Sequence, residues 1–445
     1  MAAGLLTVMN IRTTFTAIAL AIIGISGLSA GLHASDLKPA ADGGNERAAT
    51  RQPKMSVAPN TPIGKARGAV PGRVAWIHCP GVATWDGHSG LWLEDRWNDQ
   101  AKADRMMKET IRSVGGKSSA KAGWKAMFED FNKRHGKGKK GYRKGEKIAI
   151  KLNMNNAITH RDTVELNSSP FVTLALVRSL VEDGGVRPAD IIVCEPSRAI
   201  TDSIYLKVTR EYPEVTFIDH IGGDGRQKCE YYPERIVYSV DNGKMARGIA
   251  KCIADADYVI NSALLKTHNG PGVTLTGKNW YGATDIALEW RKNAHNNVSP
   301  DKKHGTPGYK TFVDFISHPD LGGKCLLFLI DGTYGSRGVN GAPNPRWRKA
   351  PFADEWACSL IASQDALAAD AVAMDIIIGE WPEFGSLNYC DQYLQEAASI
   401  PDTPSGTVYK AGGVALTEPL GLMEHWNNAQ ERKYDAIDLQ YVRIK

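Results

Sequence analysis

None of the seven cysteines in this 445-residue chain forms a C-x-x-C pair, so thiolate-held iron–sulfur clusters have no framework to build on. No H-E-x-x-H or H-x-x-x-H spacing occurs, which removes the helix-borne metal signatures. No internal repeat is visible, so solenoids and propellers are excluded. Beyond the first thirty or so residues, no run is apolar and long enough to span a bilayer. Excess charge is also scarce. With 54 Lys and Arg against 49 Asp and Glu, the net charge is +5, too mild to imply a nucleic-acid partner. The odd cysteine count leaves at least one thiol unpaired. Cys194 falls in an expected strand and Cys325 and Cys358 directly precede two others, places where cysteine acts as a small buried hydrophobe.

What is present is an ordinary globular composition, long enough for one large or two ordinary domains. Met9-Asn-Ile-Arg12 precedes an apolar run from Phe15 to Leu28 that ends in Ser29-Ala30 and Leu32-His-Ala34. Residues 1–34 thus have the layout of a cleavable secretory leader, and export to the periplasm or outside the cell is expected. An uncleaved anchor is the alternative, although the apolar core is shorter than the ~20 residues of a span. Residues 35–72 are rich in Ala, Pro, Gly, Asn and charge, without hydrophobic period, and read as a flexible linker. The folded domain is expected over 73–380, with 381–445 as a C-terminal extension packed on it.

Apolar runs predict strands at Val74–Ile77, Ile148–Leu152, Ile191–Cys194, Val215–Ile218, Tyr258–Asn261, Leu326–Ile330 and Ser359–Ala362. Amphipathic runs predict helices at Glu94–Val114, Lys121–Arg134, Pro170–Glu182, Gly248–Ala254 and Ala366–Ile378, with Ser169 as N-cap before Pro170. Strands separated by helices imply an α/β fold: a mainly parallel sheet with helices on both faces, doubly wound and Rossmann-like, in one lobe or two.

Polar residues cluster just after four of these strands: Lys151, Asn153 and Asn155; Glu195, Ser197 and Arg198; Lys266 and His268; Asp331 with Gly332. If the strands are parallel neighbours, all four clusters open on one edge of the sheet, where α/β folds hold ligands. The densest stretch is Leu264 to Ala283. Lys266 and His268 sit two apart, on one side of an extended chain. Gly270, Gly272 and Gly277 let backbone approach a ligand closely, and Lys278 and Asn279 are expected to open a helix.

Leu265-Lys266-Thr267-His268, Gly272-Val273-Thr274, Lys278-Asn279 and Tyr281-Gly282 together resemble the pattern of a family of unknown function, DUF362. Ile148–Asn153, Ser168-Ser169-Pro170 and Leu329–Gly332 extend the resemblance over roughly Arg73 to Gly379. The resemblance implies a fold rather than an activity. Some members carry ferredoxin-like cysteine segments, which this chain lacks, so iron–sulfur electron transfer is not implied. His268 to Lys278 is also remotely similar to the part of lactate-racemase-like enzymes in which a histidine and a lysine serve a nickel-pincer cofactor. The other histidines of that family are not matched, and only proton abstraction next to a carboxylate is carried over.

Lys151, Arg198, Lys266 and Lys278 would make a cationic pocket for a small anion. Crowded lysines depress one another's pKa, leaving one amine able to act as base or nucleophile. The expected catalytic set is Lys278, His268, Lys266 and Glu195, with Glu195 or Asp331 orienting the histidine. The expected binding set is Lys151, Asn153, Asn155, Ser197, Arg198, Asn279, Gly272 and Thr274. This describes an enzyme acting by Lys/His acid–base chemistry, with or without a metal, on a carboxylate or sugar acid. The alternative is a non-catalytic anion- or glycan-binding protein of the cell envelope, with Trp85, Trp92 and Trp97 stacking on sugar. The residues specify no cofactor. A divalent ion held by Asp331 and Asp370 is one candidate metal site, and the His78, Asp86, His88 loop is another. The basic run Asn132–Lys144 reads as a solvated loop. Arg337, Asn340, Asn344, Arg346 and Arg348 lie in a Pro/Gly-rich loop able to close over the pocket.

Overall fold

A computed structural model of the chain describes residues 61–240, 247–285 and 308–445. The leader-like segment and residues 35–60 of the expected linker lie outside the described residues. Sixteen strands are described: β1 (Ile63–Gly64), β2 (Arg73–His78), β3 (Ile148–Lys151), β4 (Ile191–Glu195), β5 (Thr216–Asp219), β6 (Gln227–Lys228), β7 (Tyr231–Ile236), β8 (Arg247–Ala250), β9 (Tyr258–His268), β10 (Gly272–Val273), β11 (Cys325–Ser336), β12 (Ser359–Ser363), β13 (Lys410–Ala411), β14 (Val414–Ala415), β15 (Leu422–Met423) and β16 (Asp438–Arg443). The described helices are α1 (Gln100–Val114), α2 (Ala120–Arg134), α3 (Pro170–Arg178), α4 (Asp202–Thr209), α5 (Lys251–Ala254), α6 (Thr276–Asn279), α7 (Thr311–Ser317), α8 (Ala366–Glu380) and α9 (Gln392–Ala398).

The main sheet runs β16-β2-β12-β11-β9-β3-β4-β5-β6, with β10 folded back on β9. Along that row only β12 opposes its neighbours; every other adjacent pair is parallel. The carboxyl ends of β3, β4, β9 and β11 therefore share one edge, which brings the polar clusters together. The expected α/β fold is the one observed. Alternate residues feed two cores. Ile148, Ile150, Tyr258 and Ile260 pack with α1, α2 and α3 on one face, while Ala149, Val259 and Ala263 pack with α7 and α8 on the other.

The caps are local chemistry. Ser169 Oγ accepts from the N–H groups of Phe171 and Val172, and Pro170 takes the first helical position. Asp365 accepts from Leu367 and Ala368 N–H at the start of α8. That helix is buried almost all round, so Asp370 and Asp375 lie in the interior.

Other expectations are corrected. The helix expected from Glu94 starts at Gln100, because Asp99 caps it by accepting from Lys102 N. Residues 248–250, expected as helix, belong to β8 because β7 offers them a ladder, and only Lys251–Ala254 turns helical. Within the expected linker, Ile63 and Gly64 pair with β15. The C-terminal stretch does more than pack on the domain, since β16 adds an edge strand beside β2. The described residues all belong to one compact unit. No helix among the described residues is long and apolar enough to cross a membrane.

Candidate functional site

β9 extends seven residues past its expected end at Asn261, because β11 also runs on and pairs Ser336 with Lys266 beyond an irregularity after Asp331. Lys266 and His268 are therefore strand residues, on one side as their spacing requires. The chain then reverses. Gly272, at φ +88, pairs with His268, and Val273 pairs with Thr267. This left-handed conformation is open to glycine at little cost, so Gly272 makes the hairpin and does not line the cleft. Lys278 and Asn279 do not open a helix but close the short α6.

The cleft at this sheet edge is lined by Lys151, Asn153 and Asn155 from the β3 end, Glu195 and Ser197 from β4, Lys266 and His268 from β9, and Thr274, Lys278 and Asn279 beyond it. Tyr281, Gly282 and Val339 complete the lining. The cavity measures about 70 Å3, room for roughly five water-sized groups. Tyr281 and Gly282 were visible only as part of a motif. Val339 carried no signal, because it contributes a backbone carbonyl.

Three lysines have three different environments. Lys151 Nζ is fully buried and donates to Leu152 O at 2.6 Å, Glu195 Oε2 at 3.0 Å and Asn279 Oδ1 at 3.2 Å. Glu195 also accepts from Met154 N, Ser197 N and Ser197 Oγ. Its oxygens are occupied in holding Lys151 and the β4 loop, so Glu195 positions Lys151 and does not orient His268. Lys266 Nζ is 1% exposed and donates to Val339 O at 3.2 Å. Burial lowers its pKa to about 8, against a small opposing pull from Glu165. Lys278 Nζ lies 4.3 Å from the centroid of the Tyr281 ring, a cation–π contact.

Amides and hydroxyls fill the gaps. Asn279 Nδ2 donates to Asn261 Oδ1 at 2.8 Å, while its Oδ1 accepts from Lys151 and from Asn153 Nδ2 at 3.0 Å. Asn153 Oδ1 and Thr274 Oγ1 are buried with no protein partner. His268 Nδ1 accepts from Gly270 N at 2.9 Å, which assigns the proton of a neutral ring to Nε2. Gly282 has a steric role: a Cβ there would stand 2.9 Å from Ser197 Oγ and 3.0 Å from both Glu195 Oε1 and Lys151 Nζ.

Several expected residues lie elsewhere. Arg198 spends Nε on Asn155 O and a terminal nitrogen on Ser197 O, bracing the loops behind the cleft. Asp331 accepts from Ser169 N, Thr333 N and Thr333 Oγ1. Asp370 accepts from Thr276 N and Oγ1, Gly277 N and Tyr393 Oη. Strand alternation turns Asp331 toward α3, whereas Asp370 belongs to α8 on the opposite face, so the two cannot share an ion. Burial raises both carboxyls. Among the described residues no group of three or more His, Cys, Asp or Glu side chains is placed to hold a metal. His78 Nδ1 pairs with Tyr441 Oη instead. His268 is the one histidine among the lining residues, so the donor set does not match a nickel-pincer nucleotide and no step is built on one. Trp85 and Trp92 are buried, which takes them from the glycan-stacking alternative. The loop after β11 lies against the cleft through its backbone: Gly338 N donates to Thr267 Oγ1, and Val339 O also accepts from Asn156 Nδ2. Its three arginines do not line the cleft.

Residues 148–375, just over half of the chain, match the family described as Domain of unknown function (DUF362). The chain belongs to the DUF362 family. The match covers β3 through most of α8 and so includes the lining side chains, while β2 and β16 of the same sheet fall outside it. No curated protein matches this DUF362 chain.

Proposed function

We propose that this DUF362 protein is an enzyme that moves a proton on a small carboxylate, with Lys266 and His268 as its acid–base pair. The observation that carries the reading is Lys266: a buried amine inside the cleft, near pKa 8, with no ion pair among the described residues. Such an amine is roughly one-tenth neutral at pH 7 and close to the optimum for a general base. Lys151, held by Glu195, serves as a fixed positive charge for the carboxylate, and Lys278 adds a second near the mouth. With Nδ1 accepting from Gly270 N, the neutral His268 ring donates through Nε2. The unpartnered Asn153 Oδ1 and Thr274 Oγ1 favour a ligand that carries a hydroxyl as well as an anionic group.

The test is deuterium exchange followed by proton NMR, with short-chain hydroxy and oxo carboxylates in D2O, beside calorimetric binding of the same compounds. Exchange at the carbon next to the carboxylate is expected with the native chain and lost in Lys266→Met. Binding without exchange would replace this reading by the non-catalytic anion-binding one. Neither binding nor exchange would end both. Export is part of the proposal and is supported by the leader-like residues 1–34; fractionation of cells expressing the full chain tests it.

A further inference from the structure

Three thiols meet behind the cleft. Cys194 precedes Glu195 on β4, and strand alternation turns its side chain to the face opposite the site carboxylate. The β7–β8 ladder pairs Tyr231 with Ala250 and Tyr232 with Ile249. Lys251 N then donates to Glu230 O at 2.8 Å, so Cys229 and Cys252 are the residues that flank this bonded pair, Cys252 lying in the first turn of α5. The Cys229 and Cys252 thiols lie near enough to perturb one another, as do those of Cys252 and Cys194. All three are unbridged. Cys229 is buried, but Cys252 is partly exposed and lines a surface depression with Lys147, Lys228 and Lys251, which gives a small oxidant access.

We propose that Cys229 and Cys252 form a reversible disulfide that clamps the β7–β8 hairpin to the start of α5. A disulfide spans Cα atoms about 4.4–6.8 Å apart, and the 2.8 Å bond between the neighbouring Glu230 and Lys251 holds the two segments side by side. The oxidant is a low-molecular-weight disulfide. One thiolate attacks it, breaking its S–S bond and releasing one of its halves as a thiol. The second thiolate then displaces the other half and closes the Cys229–Cys252 bond. The two cysteines lose two protons and two electrons, and the oxidant gains them as two thiols. The neighbouring thiols, together with burial, keep Cys229 and Cys252 protonated, so the exchange is slow and needs long equilibration. The clamp adjoins the cleft wall, because Tyr231 Oη donates to Pro196 O at 2.6 Å, between Glu195 and Ser197.

The full chain is equilibrated in reduced and in oxidised glutathione, quenched in acid, alkylated, digested and mapped by mass spectrometry. In the oxidised arm a peptide joining Cys229 to Cys252 is expected, with the chain lighter by two hydrogen atoms and the other cysteines alkylated. Dithiothreitol should reverse the link. Cys194→Ser should keep it and Cys252→Ser should lose it, with circular dichroism confirming that both variants fold. The oxidised chain should melt at a higher temperature than the reduced one. Full alkylation of all seven cysteines in the oxidised native chain would overturn the proposal, as would a Cys194–Cys252 link in its place. The native-chain map decides even if a variant fails to fold.

Discussion

Replacing Lys266 by methionine keeps most of the side-chain volume and removes its charge. Burial takes the amine from 10.5 to about 8. At about 1.4 kcal/mol for each tenfold change in proton affinity, folding disfavours the protonated form by about 3 kcal/mol. The native state binds fewer protons than the unfolded one between about pH 8 and 10.5. Stability therefore rises with pH across that window, and the full penalty stands below it. Methionine escapes the penalty but gives up the bond to Val339 O, worth about 1 kcal/mol. The expected net gain is about 2 kcal/mol at pH 7, shrinking as pH passes from 8 to 10.5, while proton exchange on the substrate disappears. Urea denaturation of both chains at several pH values measures the difference, which cancels groups titrating in both. A variant less stable than the native chain at pH 7, or a difference independent of pH, would refute the buried-amine argument.

Three further changes probe the same architecture. Glu195→Gln leaves the buried Lys151 amine without its charge partner and should cost about 3–5 kcal/mol in chemical denaturation; Lys151→Met added to it should recover most of the loss, and no recovery would show that the pair is not the cause. Gly282→Ala drives a methyl against Ser197, Glu195 and Lys151 and should cost about 1–3 kcal/mol, with carboxylate binding weakened in calorimetry; unchanged binding would show that the gap yields. Burial pulls the His425 pKa down, but the hydrogen bond and charge of Asp375, aided by Asp391, raise it to about 10. Its stabilisation is therefore complete below about pH 6.5 and is lost as pH rises through 10, a slope that thermal melting should find flattened in His425→Gln.

Much of the cleft was readable because polar residues following apolar runs are conspicuous. Lys151, Asn153, Glu195, Lys266 and His268 were named on that ground, and all line it. The same reasoning misplaced Arg198, whose donors turn to backbone carbonyls, and Gly272, whose conformation serves a hairpin. Trp85 and Trp92 looked like exposed stacking platforms because a Gly-rich loop suggests a surface. Burial there depends on packing with Trp356 and Tyr334, more than 200 residues away in the chain. The switch from helix to strand at 248–250 likewise needed a partner strand, which a local period does not contain.

The amino-acid sequence alone determined the elements and their polarity: runs long enough for strands, caps at Ser169 and Asp365, and polar groups after the strands. These follow from forces acting over a few residues. Tertiary structure decided which charge meets which. Lys151 finds Glu195 only because β3 and β4 lie side by side, Lys266 escapes an ion pair because the loop at Val339 covers it with a carbonyl, and Asp331 and Asp370 are kept apart by the sheet between them. Electrostatic environment depends on distance in space, and strand order, which sets those distances, is a property of the whole chain.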